Sequence, residues 1–153
     1  MTSLSTPSRI RGSLYGVAVV DALGGPVEFR ARGSFPPVTE FRYNSHFDLA
    51  PGTWTDDTSM TLCLAQSIVE RDGNFVVHDQ VRKYVNWKEE GYMSATGKCF
   101  DIGNATREAL VIWKSTTHDM KDANPTEMKH YQRLIDQALN REVGIPNPCR
   151  SGT

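Results

Sequence analysis

The sequence predicts an all-α fold in a single compact domain. Apolar residues recur at helical spacing in five segments, and no alternating run of strand length stands between them. The length of 153 residues suits one domain with a sizeable core. The 17 basic and 18 acidic side chains leave a net charge of -1, so no global field recruits nucleic acid or an acidic membrane surface. We therefore expect partners to be recognised locally.

The first predicted helix covers residues 9–23, because three apolar residues share one helical face: Ile10, Leu14 and Val17. Asp21 continues that face, so its carboxylate should need a buried partner. The sequence Gly-Gly-Pro at 24–26 then ends the helix. Residues 1–8 are expected to form a disordered lead-in, since they lack the apolar core of a secretory signal.

Beyond the first helix, residues 27–53 contain turn-forming pairs without a sustained period, which predicts a long surface loop. Four further helices are expected at about 58–71, 77–91, 104–114 and 126–142. The second helix carries apolar residues around most of its circumference, so we predict that it lies in the interior.

The cysteines Cys63, Cys99 and Cys149 are odd in number and widely spaced, which disfavours a zinc site or a redox dithiol. A reduced intracellular setting is therefore expected, with the cytoplasm preferred and the nucleus or an organelle left open. No stretch approaches the roughly 18 apolar residues of a membrane span, so a soluble protein without membrane contact is expected.

The strongest functional signal is Thr55-Asp56-Asp57, directly before the apolar second helix. One hydroxyl and two carboxylates are hard oxygen donors, which suit Mg²⁺. The alternative is an ordinary N-cap, for which a single Asp or Thr suffices, together with a solvated acidic pair. The motif by itself leaves both interpretations open.

Two further segments accompany the motif Gly-Thr-Trp-Thr-Asp-Asp-Thr-Ser-Met at 52–60. They are Gly-Ser-Leu-Tyr-Gly-Val-Ala-Val-Val-Asp-Ala-Leu-Gly-Gly-Pro-Val-Glu-Phe at 12–29 and Gly-Tyr-Met-Ser-Ala-Thr-Gly-Lys-Cys-Phe-Asp-Ile-Gly-Asn-Ala-Thr-Arg at 91–107. In this order the three blocks resemble the ADP-ribosylglycohydrolase family. The resemblance implies a compact orthogonal bundle of helices, two magnesium ions, and cleavage of the glycosidic bond between ADP-ribose and a protein side chain or small acceptor.

Position by position, the resemblance implies that Thr55, Asp56 and Asp57 are metal ligands. It makes Glu28 the glutamate of a mobile loop that meets the metal, and Glu28, Asp56 and Asp57 the catalytic residues. The third block would supply the substrate contacts, with free N–H groups at a helix start facing the pyrophosphate: Gly97, Phe100, Asp101, Ile102, Gly103 and Asn104.

The chain also departs from the family pattern. Val20 stands where glycine is usual, and a second acidic motif of the Asp-x-Asp-Thr type has no counterpart. We therefore expect a partial, truncated family domain at 9–143, a divergent tail at 144–153, and one weakly held Mg²⁺ or none.

The agreements with the family pattern and the departures from it leave three candidate functions. The chain is an impaired magnesium-dependent hydrolase acting on ADP-ribosylated protein, an inactive module that binds ADP-ribose, or a structural remnant. Apolar helix surface without its usual cover predicts self-association or a partner chain that covers it.

Overall fold

The computed structural model describes residues 5–121, and these fold into helices without any strand. The elements are α1 (Thr6–Gly24), a 3-10 turn (Gly25–Val27), α2 (Asp56–Glu70), α3 (Val77–Glu90) and α4 (Asn104–Lys121). The predicted all-α class is confirmed. The fifth predicted helix, at 126–142, and the tail at 144–153 lie outside the described residues.

Helix α1 begins at Thr6, three residues before its predicted start and inside the predicted lead-in at 1–8. The earlier start has a local cause, because the side chain of Ser5 accepts a hydrogen bond from the backbone N–H of Ser8 at 3.4 Å. Pro7 occupies the first turn, where its missing N–H costs nothing. The lead-in as predicted is therefore too long.

Helix α2 packs against both α1 and α3. Its buried residues are small, namely Thr58, Ser59, Cys63 and Ser67, so the neighbouring helices approach closely along this face. The predicted interior position of this helix is wrong at its C-terminal end, since Val69 is 71% exposed. The loop before α2 is long, as expected, and an isolated antiparallel bridge joins Asn44 to Leu49 within it.

The buried core joins α2, α3 and the first part of α4 through Cys63, Trp87 and Leu110. The half-buried side chains packed around these three are Met60, Tyr84, Val85, Tyr92, Met93, Cys99 and Ile102. The chain divides into two compact units, the first ending at Val111 and the second beginning at Ile112. The core lies in the first unit, and the second is described only as the end of α4.

Helix α1 leaves much of its apolar surface exposed. Ala22 is its buried residue, whereas Ile10, Tyr15 and Val20 are 56%, 72% and 68% exposed. The predicted core face of this helix is therefore wrong at Ile10. Self-association through such surface stays a prediction. Within residues 5–121, no helix combines the length and the apolar character needed to cross a membrane.

An ionic network centred on Asp79 joins α3 to the end of α2. Asp79 is fully buried and accepts hydrogen bonds from Arg71 and Arg82, both at 2.6 Å, and from Ser67 at 2.8 Å. Lys83 lies 3.9 Å from the same carboxylate and pairs with Glu70 at 2.5 Å. Burial alone would raise the pKa of Asp79, but these donors outweigh it and hold the pKa well below its usual range.

We predict that Asp79→Asn lowers the free energy of unfolding at pH 7 by about 3 kcal/mol, because it removes the buried charge that pairs with Arg71 and Arg82 and leaves the buried Lys83 without one of its two carboxylate partners. The pKa of Asp79 is lower in the folded than in the unfolded chain. Its stabilisation is therefore present above about pH 4 and lost as the pH falls through the folded value. Urea titrations at several pH values measure this.

The matched control is Glu40→Gln, which removes the exposed ion pair with Arg42 and should cost less than about 1 kcal/mol. Equal losses in the two variants, or a loss in Asp79→Asn that does not shrink in acid, would contradict the prediction.

Candidate functional site

The site is organised by Asp21, near the end of α1. Its carboxylate accepts hydrogen bonds from the backbone N–H of Thr55, at 3.0 and 3.2 Å, and from the backbone N–H of Thr58 at 3.0 Å. The hydroxyls of both threonines also donate to it, each at 2.5 Å. Asp21 therefore satisfies free N–H groups at the start of α2, which confirms that this residue needed a buried partner.

This arrangement decides how the acidic motif begins α2. Thr55 occupies the N-cap position, but its side chain makes no capping bond to the helix and donates instead to Asp21. Asp56 and Asp57 stand in the first turn of the helix. The ordinary N-cap explanation therefore does not account for the acidic pair, because the capping carboxylate comes from another helix.

An open cleft of about 350 Å³ lies where the end of α1 faces the start of α2. Its acidic wall contains Asp21, Glu28, Asp56 and Asp57, so the predicted catalytic residues lie together. Its other lining residues are Val17, Val20, Gly24, Gly25, Val27 and Thr55. Val20 thus exposes its side chain at the cleft.

Glu28 and Asp101 bring a further carboxyl pair to this region. The side chain of Glu28 lies within hydrogen-bonding reach of the Asp101 carboxyl group. Burial, followed by the hydrogen bond and charge of Glu28 and the charges of Asp56 and Asp21, raises the pKa of Asp101 to about 8. The buried Oδ2 of Asp101 has no hydrogen-bond donor among the described residues.

Asp56 is subject to the same crowding of negative charge. Burial raises its pKa, and so do the charges of Asp57, Glu28 and Asp21, while its own backbone N–H opposes the shift. Carboxylates raise one another's pKa when no cation compensates them. The charge of the cleft therefore suits a cation.

The coordination geometry for a metal is not preassembled, however. No group of three or more acidic, histidine or cysteine side chains within the described part of the chain is arranged to hold an ion. Thr55 is buried, and its hydroxyl is engaged with Asp21. The donor set thus has the right chemistry for Mg²⁺, namely hard oxygen atoms and excess negative charge, without a closed ligand shell.

The predicted substrate contacts of the third sequence block are not among the residues that line the cleft. Gly97 lies in a turn and has a positive φ of 71°. Its carbonyl oxygen is 2.1 Å from the position that a Cβ on Gly91 would take, so this turn packs directly against Gly91. Ile102 packs against the core. Gly103 and Asn104 are exposed at the start of α4, where the Gly103 carbonyl accepts from Arg107. Their predicted contacts with ADP-ribose stay predictions.

An aromatic cluster that the sequence did not predict lies beside the carboxyl pair. Phe47 lies 5.6 Å from Phe100 and 6.3 Å from Phe29, and His46 lies 5.0 Å from Phe29, measured between ring centroids. The predicted substrate contact Phe100 belongs to this cluster. Only the density of aromatic residues could have indicated it, because the loop has no periodicity.

Cysteine chemistry has no support at this site. Cys63 is fully buried in the core, and burial raises its pKa to about 12, which keeps it a thiol. The pKa of Cys99 is also raised by burial. Both thiols are free, and neither is a nucleophile candidate.

Comparison with known proteins assigns residues 2–141 to the family model described as ADP-ribosylglycohydrolase. The chain is 45% identical to ADP-ribosylarginine hydrolase Tri1 of Pseudomonas putida (strain GB-1), over 69% of this chain and 28% of that protein. It is 30% identical to the ADP-ribosyl-[dinitrogen reductase] glycohydrolase of Rhodospirillum rubrum, over 72% of this chain and 36% of that protein.

Among solved structures, a chain of an ADP-ribosylglycohydrolase-related protein complex matches with a TM-score of 0.56 and 42% sequence identity. The match covers 69% of this chain and 32% of that one. The chain thus spans about a third or less of the length of these relatives.

We predict that Asp21→Asn lowers the free energy of unfolding by about 3 kcal/mol. Both carboxylate oxygens of Asp21 accept hydrogen bonds, and in the variant one of them is replaced by an NH₂ group, which would face N–H donors and cannot accept from them. The matched control is Asp72→Asn, beyond the end of α2, which should change stability by less than about 0.5 kcal/mol. Thermal or urea unfolding gives both values. A loss in Asp21→Asn no larger than in the control would rule out the capping role.

Proposed function

Because the chain belongs to the ADP-ribosylglycohydrolase family, we propose that it contributes to magnesium-dependent hydrolysis of the bond between ADP-ribose and an acceptor. The observation that carries the proposal is the convergence of Glu28, Asp56 and Asp57 on one cleft, with Asp101 against Glu28. Arginine-linked ADP-ribose is the first substrate to test, since one relative is named as an ADP-ribosylarginine hydrolase.

We propose that Asp56, Asp57 and Glu28 hold a single Mg²⁺ weakly, with the oxygen of Thr55 as a further ligand. Bound Mg²⁺ would stabilise negative charge on the ribose hydroxyls and increase the acidity of water. The support is the raised pKa of both Asp56 and Asp101, which burial and the uncompensated charge of the neighbouring carboxylates produce together. Weak binding follows from the absence of a preassembled ligand group among the described residues.

The carboxyl pair supplies the proton chemistry. Glu28 and Asp101 are in contact, whereas acids that flank a glycosidic bond stand about 5 to 9.5 Å apart. They therefore act together on one side of the bond, with the proton on Asp101, whose pKa is raised to about 8. In hydrolysis, the bond from C1″ to the acceptor breaks, water forms the new bond to C1″, the pair gives its proton to the leaving group, and the proton released by water restores it.

A binding module without catalysis is the second candidate, favoured by the open ligand shell. In that case ADP-ribose binds in the cleft and no bond is cleaved. We place either activity in a reducing compartment, preferably the cytoplasm, because Cys63 and Cys99 are free thiols. We also propose that the exposed face of α1 is covered by a second copy or by a partner chain. Elution as a sharp monomer at high concentration would contradict the second copy.

The decisive assay measures release of ADP-ribose from ADP-ribosylarginine protein, with Mg²⁺ and with a chelator. Wild type should release ADP-ribose only with Mg²⁺, and Asp56→Asn or Asp57→Asn should lower the rate at least about 100-fold, since each removes a charge that acts on the reaction. The matched variant Asp72→Asn lies outside the cleft lining and should retain the wild-type rate.

Calorimetry with ADP-ribose separates the two candidates. Binding without cleavage supports the module, whereas neither binding nor cleavage by a folded sample rejects both. Cleavage that persists in the chelator, or in both cleft variants, would contradict the proposed mechanism.

A further inference from the structure

Four rings form a row that begins beside Glu28 and ends beside Asp101: Phe29, His46, Phe47 and Phe100. Phe47 is its centre, with centroid distances of 4.5 Å to His46, 5.6 Å to Phe100 and 6.3 Å to Phe29. The contacts are tilted or edge-on, the arrangements that aromatic pairs prefer. Phe47 therefore contacts the rings at both ends of the row, Phe29 and Phe100.

The backbone at both ends is strained. Phe29 has φ of 62° and Asp101 has φ of 58°, a left-handed conformation that is costly for a residue other than glycine. Such a conformation persists only where the surroundings hold it. Phe29 is 69% exposed, so burial of its ring is not what does so. A hydrogen bond of 3.1 Å from the backbone N–H of Arg30 to the carbonyl of Val27 closes a turn around Phe29, and the ring contacts of Phe29 with His46 and Phe47 add to it.

The turn that carries Phe47 is itself firmly held. Asn44 is buried, and its side-chain oxygen accepts the backbone N–H groups of His46 at 3.0 Å and Phe47 at 3.3 Å. Two backbone hydrogen bonds of 3.0 Å join Asn44 and Leu49 across the turn. The Asn44 amide also lies 3.3 Å from where a Cβ on Gly25 would stand, in the 3-10 turn just before Glu28.

We propose that Phe47 is a positioning residue that keeps Glu28 and Asp101 together. The ring acts through covalent neighbours, since Phe29 follows Glu28 and Phe100 precedes Asp101. The contact between the carboxyl groups of Glu28 and Asp101 links the same two segments a second time. Phe47 itself touches no reacting atom. Its role in catalysis rests on the proposed function, whereas its effect on the geometry of the pair does not.

The first test is backbone ¹⁵N relaxation of the full chain, with Phe47→Ala compared to wild type. The amides of Phe29 and Asp101 should lose order together, from about 0.85 to about 0.6 in order parameter, while those of α2 and α3 stay rigid. Phe47→Tyr keeps the ring and should restore the order. If Phe47→Ala does not fold, Phe47→Leu keeps apolar volume without a ring and is used instead.

The matched control is Phe41→Ala, which removes another half-exposed ring of the same loop that packs near Gly52. It should leave Phe29 and Asp101 ordered. Unchanged order at these two amides in Phe47→Ala, or the same loss in Phe41→Ala, would overturn the proposal.

The second test is kinetic. Phe47→Ala should lower kcat roughly 10-fold and change KM less than about twofold, because misplacement of Glu28 relative to the cleft affects the chemical step. In a Glu28→Gln background the same substitution should have little further effect. Additive losses would overturn the proposal. A wild type that cleaves nothing rejects the proposed function, and the relaxation comparison still decides whether Phe47 holds the pair.

Discussion

The structure of the described region depends on a single carboxylate, that of Asp21. It accepts two backbone N–H groups and two hydroxyls at the start of α2, although it belongs to the end of α1. Because Asp21 belongs to another helix, its hydrogen bonds satisfy the free N–H groups of α2 and also fix the start of α2 relative to α1. Because Asp21 supplies the cap, Asp56 and Asp57 in the first turn of α2 are not needed for capping, and both line the cleft.

The cleft combines uncompensated negative charge with close packing, and this combination separates it from the Asp79 network. At Asp79, three cationic side chains surround the buried carboxylate, and its pKa is held low. At Asp101, burial raises the pKa, the neighbouring carboxyl groups raise it further, and it reaches about 8. A balanced network stabilises a fold, whereas an unbalanced one is poised for a cation or a proton. The unbalanced charge of the cleft therefore indicates a functional site, whereas the balanced network at Asp79 indicates a structural role.

The sequence predicted the helical class, the position of α2 within two residues at its start, and the need of Asp21 for a partner, because these depend on local period and on the cost of a buried charge. It did not predict the exposure of α1 or of Val69, since periodicity says which residues are apolar and not what covers them. Contacts between residues far apart in the chain were also beyond it. Glu28 reaches Asp101, and Phe47 contacts both Phe29 and Phe100, only through the fold of an aperiodic loop.

The central claim is that the cleft holds excess negative charge that a magnesium ion compensates. Carbon-13 NMR of the Asp101 carboxyl group, titrated with pH in the absence and presence of Mg²⁺, tests it most directly. The account predicts a midpoint near 8 without the ion, as burial and the charge of Glu28 require, and a midpoint lowered by more than about one unit with it. An ordinary midpoint near 4 in both titrations would contradict the account.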